Sequence, residues 1–312
     1  MRLLEKQFES AIAIKNILFA TDFSEISEAA LPYVTALSLR YGSSIHVAHV
    51  LPEVTFLRPG APDPAVIGSI YEDAHSLAQE KIRRLSDRLS GFPHHTYIRH
   101  GRVLEVIDEL AREREVDLIV LGTHGRTGLG KLVLGSIAEE IFRHASCPVL
   151  TVGPRVPSLA ATIQARHDRD LPSTQVNFHH VLCATNFHSD AASACSYASS
   201  VAAEFHSRLT LLHVIEDYGD RLQEHPGLID MSLGKLAELL PDQSGLRYPP
   251  EFLALYGSPA EVILEAAGEN RADLIVLGLK PSANLNAATH LGGSTAHKVV
   301  VGAHCPVLTV RK

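Results

Sequence analysis

Short apolar runs alternate with longer stretches of helical spacing along this 312-residue chain. The run Asn16–Ala20 is too short for a helix and is bounded by polar residues, which predicts a buried strand. A helix is expected next, opened near Ser24 or Ser27 as its cap and closed before Gly42, with Pro32 bending its first turns. Ser44–Val50 reads as the second strand. Pro52–Gly68 carries four prolines and two glycines and predicts a long surface loop. Tyr71–Leu89 returns to helical spacing, with Ala74, Leu77, Ile82, Leu85 and Leu89 on or near one face. His95–Arg99 is then a strand, Val103–Arg114 a helix, Leu118–Leu121 a strand, Ser136–Ala145 a helix and Pro148–Val152 the last strand of this half.

The order then repeats. DLIVLG occurs at Asp117–Gly122 and at Asp273–Gly278, and CPVLTV at Cys147–Val152 and Cys305–Val310. The opening strands also match, NILFATDF at Asn16–Phe23 and HVLCATNF at His180–Phe187. Two copies of one unit predict two domains of one fold, residues 1–153 and 179–312. Residues 154–178, with three prolines and mixed charge, read as a linker with one short helix around Ala160–Arg166. In the second copy the expected elements are Val181–Ala184, Ser189–Phe205, Leu209–Val214, a loop and helix to about Leu240, Glu251–Tyr256, Ala260–Ala267, Leu274–Leu277, Thr295–Val301 and Val307–Val310. Strands alternating with helices imply α/β domains, each a doubly wound parallel sheet covered on both faces.

Composition narrows the function classes. A net charge of −7 with no Lys/Arg block argues against a nucleic-acid footprint. No stretch has the length of a membrane span, and Met1–Phe19 lacks the apolar run of a secretory signal. The four cysteines show no CxxC spacing, and two of them head equivalent strands, so a reduced, cytoplasmic protein is expected. Eighteen histidines are scattered without the i, i+4 spacing of a zinc site and read mainly as surface or strand-end residues.

The candidate chemistry lies in two loops of the first copy. One carries Thr21 and Asp22 after the first strand. The other, Gly122–Ser136, contains Gly122, Gly125, Gly128, Gly130 and Gly135 and ends where a helix begins. Such a loop can present bare backbone N–H groups and the positive end of a helix dipole to an anion. Ser136 with Glu139 reads as a capping box that starts the helix there. Arg126 and Lys131 could neutralise phosphate charge from the rim. His124 and Thr127 read as loop residues without a defined role. The loop is not a Walker sequence, because no Gly-Lys-Ser/Thr occurs in it. A carboxylate at Asp22 suits ribose hydroxyls or magnesium better than phosphate, the bland alternative being a helix cap.

The spacing Gly122-x2-Gly125-x9-Gly135-Ser136, with the strands on either side and Asp22, resembles the ATP-binding signature of the universal stress protein family. The resemblance covers nearly the whole chain twice, as in a tandem-domain member. It implies two five-stranded sheets of the adenine-nucleotide α-hydrolase type, with strand order 3-2-1-4-5. It also implies an ATP site in the first copy, with Mg2+, formed by Ala20, Thr21, Asp22, Val50, Gly122, Thr123, Gly125, Arg126, Gly135, Ser136 and Ile137. In that pattern Asp22 meets the ribose or metal region, backbone near Val50 meets the adenine, and the glycines and Ser136 cradle the phosphates. The implied role is a stress-response switch or regulator rather than an enzyme. Two alternatives stand beside it, a slow ATPase or nucleotide-using enzyme and an interaction scaffold. Last strands Val149–Val152 and Val307–Val310 are candidates for pairing between the two domains or in a homodimer.

The second copy departs from this pattern. Asn186 stands where Asp22 does, Pro281 stands where Gly125 does, and Gly278 to Gly293 spans fifteen steps against thirteen from Gly122 to Gly135. Gly292, Gly293, Ser294 and Thr295 remain. A lost donor and a lost charge predict an empty or altered second site.

Overall fold

The computed structural model describes residues 12–52, 64–123, 134–157, 176–188, 190–216, 227–240, 243, 245–279 and 294–311. They form two compact units, one containing Ile14–Pro154 and the other Val176–Lys312.

In the first unit the strands are β1 (Asn16–Ala20), β2 (Ser44–Leu51), β3 (His94–His100), β4 (Leu118–Gly122) and β5 (Val149–Val152). The helices are α1 (Glu25–Glu28), α2 (Leu31–Tyr41), α3 (Pro64–Arg88), α4 (Val103–Glu113) and α5 (Ser136–His144). The sheet order is β3-β2-β1-β4-β5, and the pairings of β1 with β2 and β4, β2 with β3, and β4 with β5 are all parallel. Central strands are apolar because both faces are covered. Ile17, Leu18 and Phe19 of β1 are all fully buried, each such side chain contributing about 1.5–3 kcal/mol of burial. Edge strand β3 is instead polar and partly exposed, which discourages pairing with another chain.

The second unit repeats the plan with β6 (His180–Thr185), β7 (Arg208–Ile215), β8 (Glu251–Tyr256), β9 (Leu274–Leu279) and β10 (Val307–Arg311). Its helices are α6 (Ala191–Phe205), α7 (Leu228–Leu239), α8 (Pro259–Glu269) and α9 (Thr295–Gly302). Its order is β8-β7-β6-β9-β10, again parallel. The aspartate of each DLIVLG segment anchors the start of the first strand of its unit. Asp117 Oδ2 accepts from Lys15 N and Asn16 N at 2.7 and 2.9 Å, and Asp273 Oδ2 from His179 N and His180 N at 2.7 and 3.0 Å.

Several local expectations are corrected. Pro32 does not bend one helix but separates two, since it sits in the first turn of α2, where its missing N–H is harmless. At the matching place in the second unit Ser196 continues the helix, and α6 runs unbroken for 15 residues. The expected loop Pro52–Gly68 gives way to α3 at Pro64. The buried ladder is Ala78, Ile82 and Leu85 of α3 with Leu89 just after it, while Leu77 faces outward at 47% exposure. The histidines read mainly as surface or strand-end residues include His46 and His49, which are buried within β2, while His180 is buried at the head of β6. His46 receives a hydrogen bond from Tyr97 Oη at Nδ1 (3.1 Å) and donates from Nε2 to Asn16 Oδ1 (3.2 Å). Burial above all, helped by His95 and Arg114, lowers its pKa to about 4. The short helix expected around Ala160–Arg166 lies outside the described residues.

Candidate functional site

The turn after β1 is fixed by its own side chains. Thr21 is buried, and its N–H extends the strand by donating to Ala48 O at 2.9 Å. Its carbonyl accepts from His49 Nδ1 at 2.8 Å, which places the proton of that ring nitrogen on Nδ1. Its Oγ1 accepts from Phe23 N at 3.0 Å and from Ser27 Oγ at 2.8 Å. Phe23 takes a left-handed φ of 60°, rare for an aromatic residue, with its ring 4.5 Å from that of His49. Asp22 is thereby held in an Asx turn, its Oδ1 accepting from Ser24 N at 3.0 Å. The cap of α1 is Ser24, whose side chain accepts from Ser27 N, so Asp22 is not the helix cap.

The second loop starts and ends at one place. Gly122 packs so closely on α1 that an added Cβ would lie 2.9 Å from Ile26 O, Ser27 Cα and Ser27 N. Thr123 is fully buried; its N–H donates to Val152 O at 3.0 Å, and its carbonyl accepts from Gly135 N at 2.7 Å. That last bond ties the far end of the loop to its beginning. Gly135 is the N-cap of α5 and supplies no capping side chain. The expected Ser136–Glu139 capping box therefore does not form. Ser136 is the first helical residue, and Glu139 pairs with Arg143 instead. The consequence is chemical: a helix start without a side-chain cap keeps amide donors for another acceptor.

These elements enclose a cavity of about 150 Å3 at the carboxyl ends of β1, β2 and β4, where the strand order reverses. Of the expected residues, Ala20, Thr21, Asp22, Val50, Gly122, Gly135, Ser136 and Ile137 line it. Thr123 lies beneath as an anchor. Gly125 and Arg126 lie outside the described residues, as do Lys131, His124 and Thr127. The sequence reading missed Ser27, His49 and an apolar wall from Val103, Ile107, Ala138 and Ile141. For His49 a signal existed: its counterpart His213 stands in the equivalent strand and binds Thr185 O through Nδ1 at 2.9 Å.

The second unit keeps a cavity of about 120 Å3, so the two sites differ in lining more than in room. Phe187 repeats the left-handed turn at φ 61°, and Asn186 Oδ1 accepts from His188 N at 3.3 Å. Burial lowers the pKa of His213 despite the opposing Thr185 carbonyl, and Lys235 adds to the depression. Ser294 is the N-cap of α9, and its hydroxyl is occupied by His297 N at 3.2 Å. Asp190 also lines this cavity, at the position that Ile26 holds in the first unit. Pro281, Gly292 and Gly293 lie outside the described residues. Among the described residues, no group of three or more His, Cys, Asp or Glu is placed to hold a metal ion, and no helix is long and apolar enough to cross a membrane.

Comparison with known proteins matches the family model described as the universal stress protein family to residues 13–153 and again to residues 177–311. A universal stress protein of Mycolicibacterium smegmatis is 26% identical over 310 residues, 95% of this chain and 97% of its own. One from Methanocaldococcus jannaschii is 30% identical over 139 residues, 44% of this chain and 81% of its own. Among solved structures, a universal stress protein from Archaeoglobus fulgidus superposes with a TM-score of 0.68 at 22% identity, covering 96% of this chain and 97% of its own.

Proposed function

The chain belongs to the universal stress protein family through both of its units, and from that premise we propose that its first unit binds ATP with Mg2+. The observation that carries the proposal is the convergence of Asp22, Val50, Gly122 and the Gly135–Ser136–Ile137 helix start on one cavity. Each part fits a different portion of the nucleotide. The apolar wall of Ala48, Val103, Ile107 and Ile141 suits a flat base beside the end of β2. Asp22 suits ribose hydroxyls, or a cation already held by phosphate. The uncapped amides of α5 suit phosphate oxygens, and the helix dipole adds about 0.3–1 kcal/mol per anionic group.

Magnesium, when bound, would offset charge between the phosphates and Asp22. Among the described lining residues Asp22 is the only carboxylate, so a cation there would be held mainly by the nucleotide and water. No residue is assigned as general base or nucleophile: His49 is oriented by Thr21 and shields the turn. The role proposed is a stress-response switch in which nucleotide occupancy of the first unit controls conformation or association. Calorimetric titration of the full chain with Mg-ATP tests this. Saturable binding that Gly125→Pro removes is expected, and the absence of binding, or binding that this substitution leaves unchanged, refutes it.

A further inference from the structure

We propose that the cavity of the second unit binds a small organic cation, an ammonium or guanidinium group on a compact apolar body, with Asp190 as its counter-charge. Asp190 occupies the N-cap position of α6 yet makes no capping hydrogen bond. An aspartate at that position ordinarily accepts from an amide of the first turn. Here the residue is only 1% exposed, and Oδ1 is buried without a hydrogen-bond partner. Its other oxygen is pressed toward Gly278, where an added Cβ would lie 2.6 Å from Oδ2. Gly278 and Asp190 both line the cavity, and the glycine leaves room for the carboxylate.

A buried carboxylate oxygen without a partner is costly, and beside a cavity a bound ligand is one way to complete it. The charge of the cavity indicates which ligand. Asp190 and Glu216 are both lining residues, whereas among the described residues Asp22 is the only carboxylate lining the first cavity. Lys235 is not a lining residue, and its ammonium lies 5.5 Å from the centre of the Phe187 ring. Phosphate would meet a carboxylate in place of the apolar Ile26, and a helix start whose serine already serves as cap. A neutral donor would leave the buried negative charge uncompensated. A bare divalent cation would need several oxygens, and the described residues provide no such cluster. A charge-assisted N–H···O bond to the Asp190 carboxylate would supply the missing partner, and Leu212, Val214 and Ile263 offer an apolar wall for the rest of the molecule.

The test is calorimetric titration of the full chain with agmatine and with putrescine, carried out with and without saturating Mg-ATP. One amine per chain is expected in both conditions, with affinity lowered at least about tenfold by Asp190→Asn, which keeps shape and removes charge. Gly278→Ala should weaken binding as well, by displacing Oδ2. Asp190→Asn should also raise or preserve the melting temperature, because it relieves an unpaired buried charge; a folded variant then makes the loss of binding interpretable. No binding of either amine to wild type overturns the proposal, as does full affinity in Asp190→Asn. Saturable binding of adenosine or a second Mg-ATP per chain that Asp190→Asn abolishes would show a nucleotide site instead. The inference is independent of whether ATP occupies the first unit, which the Mg-ATP titration reads separately.

Discussion

Replacing Gly122 with alanine puts a Cβ 2.9 Å from three backbone atoms of α1, namely Ile26 O, Ser27 N and Ser27 Cα. None of these is the end of a flexible side chain, so β4 and α1 must separate. Overpacking of this kind costs about 1–3 kcal/mol. The backbone of Gly122 is outside the left-handed region, so alanine brings no torsional strain and recovers about 0.4–1 kcal/mol through the unfolded chain. The net expectation is a loss of about 1–2 kcal/mol, or about 3–6 °C in the melting temperature of the first unit. The displaced helix also carries Ser27, which holds Thr21 and thereby the turn that presents Asp22. Affinity for Mg-ATP should therefore fall at least about tenfold, equivalent to about 1.4 kcal/mol. Gly278→Ala is the internal contrast. Its nearest contact is Asp190 Oδ2 at 2.6 Å, the tip of a side chain that can turn away, and it should cost less than about 1 kcal/mol. Urea melts and calorimetry on the two variants decide the matter. A Gly122→Ala protein as stable as wild type and binding Mg-ATP with unchanged affinity would refute the packing argument.

Three further outcomes follow from other parts of the molecule. The depressed pKa of His46 means that the unfolded chain binds a proton below about pH 6.5 that the folded chain refuses until about pH 4, so stability falls with acidification across that window. At pH 4.5 wild type should lose about 2–3 kcal/mol more, relative to pH 7, than His46→Gln, measured by urea denaturation; equal losses would contradict the assignment. Asp117→Ala removes the shared acceptor of Lys15 N and Asn16 N and should cost about 1–3 kcal/mol in the same assay, with Asp273→Ala costing a similar amount in the second unit. Leu89→Ala, at a fully buried position just after α3, should destabilise by about 2–5 kcal/mol, whereas Leu77→Ala, on the exposed face, should stay within about 0.5 kcal/mol of wild type.

The repeat made the fold legible. The apolar runs Leu118–Leu121 and Leu274–Leu277 could only be strands covered on both faces, and their spacing from Asn16–Ala20 and Val181–Ala184 carried the whole topology. The candidate site was legible where backbone chemistry decides, at Gly122, Gly135 and the turn at Asp22. It was illegible where neighbouring elements decide. The cap of α5 moved from Ser136 to Gly135, where Thr123 O at the opposite end of the same loop captures the Gly135 amide. The orientation of Leu77 depended on which stripe of α3 meets the sheet, and several stripes were apolar enough to serve. His49 looked like one more scattered histidine until strand pairing set it beside the carbonyl of Thr21. Asp190 shows the same limit: its counterpart in the first unit is apolar Ile26, and only packing against Gly278 reveals a buried charge.

The central claim, an unequal pair of units with the nucleotide in the first, is tested most directly by photolabelling the full chain with 8-azido-ATP in the presence of Mg2+, followed by peptide mapping. The account predicts label on peptides of the first unit near Val50, competed away by ATP and absent from the second unit. Competable label on peptides around Val214, or its absence near Val50, would contradict it.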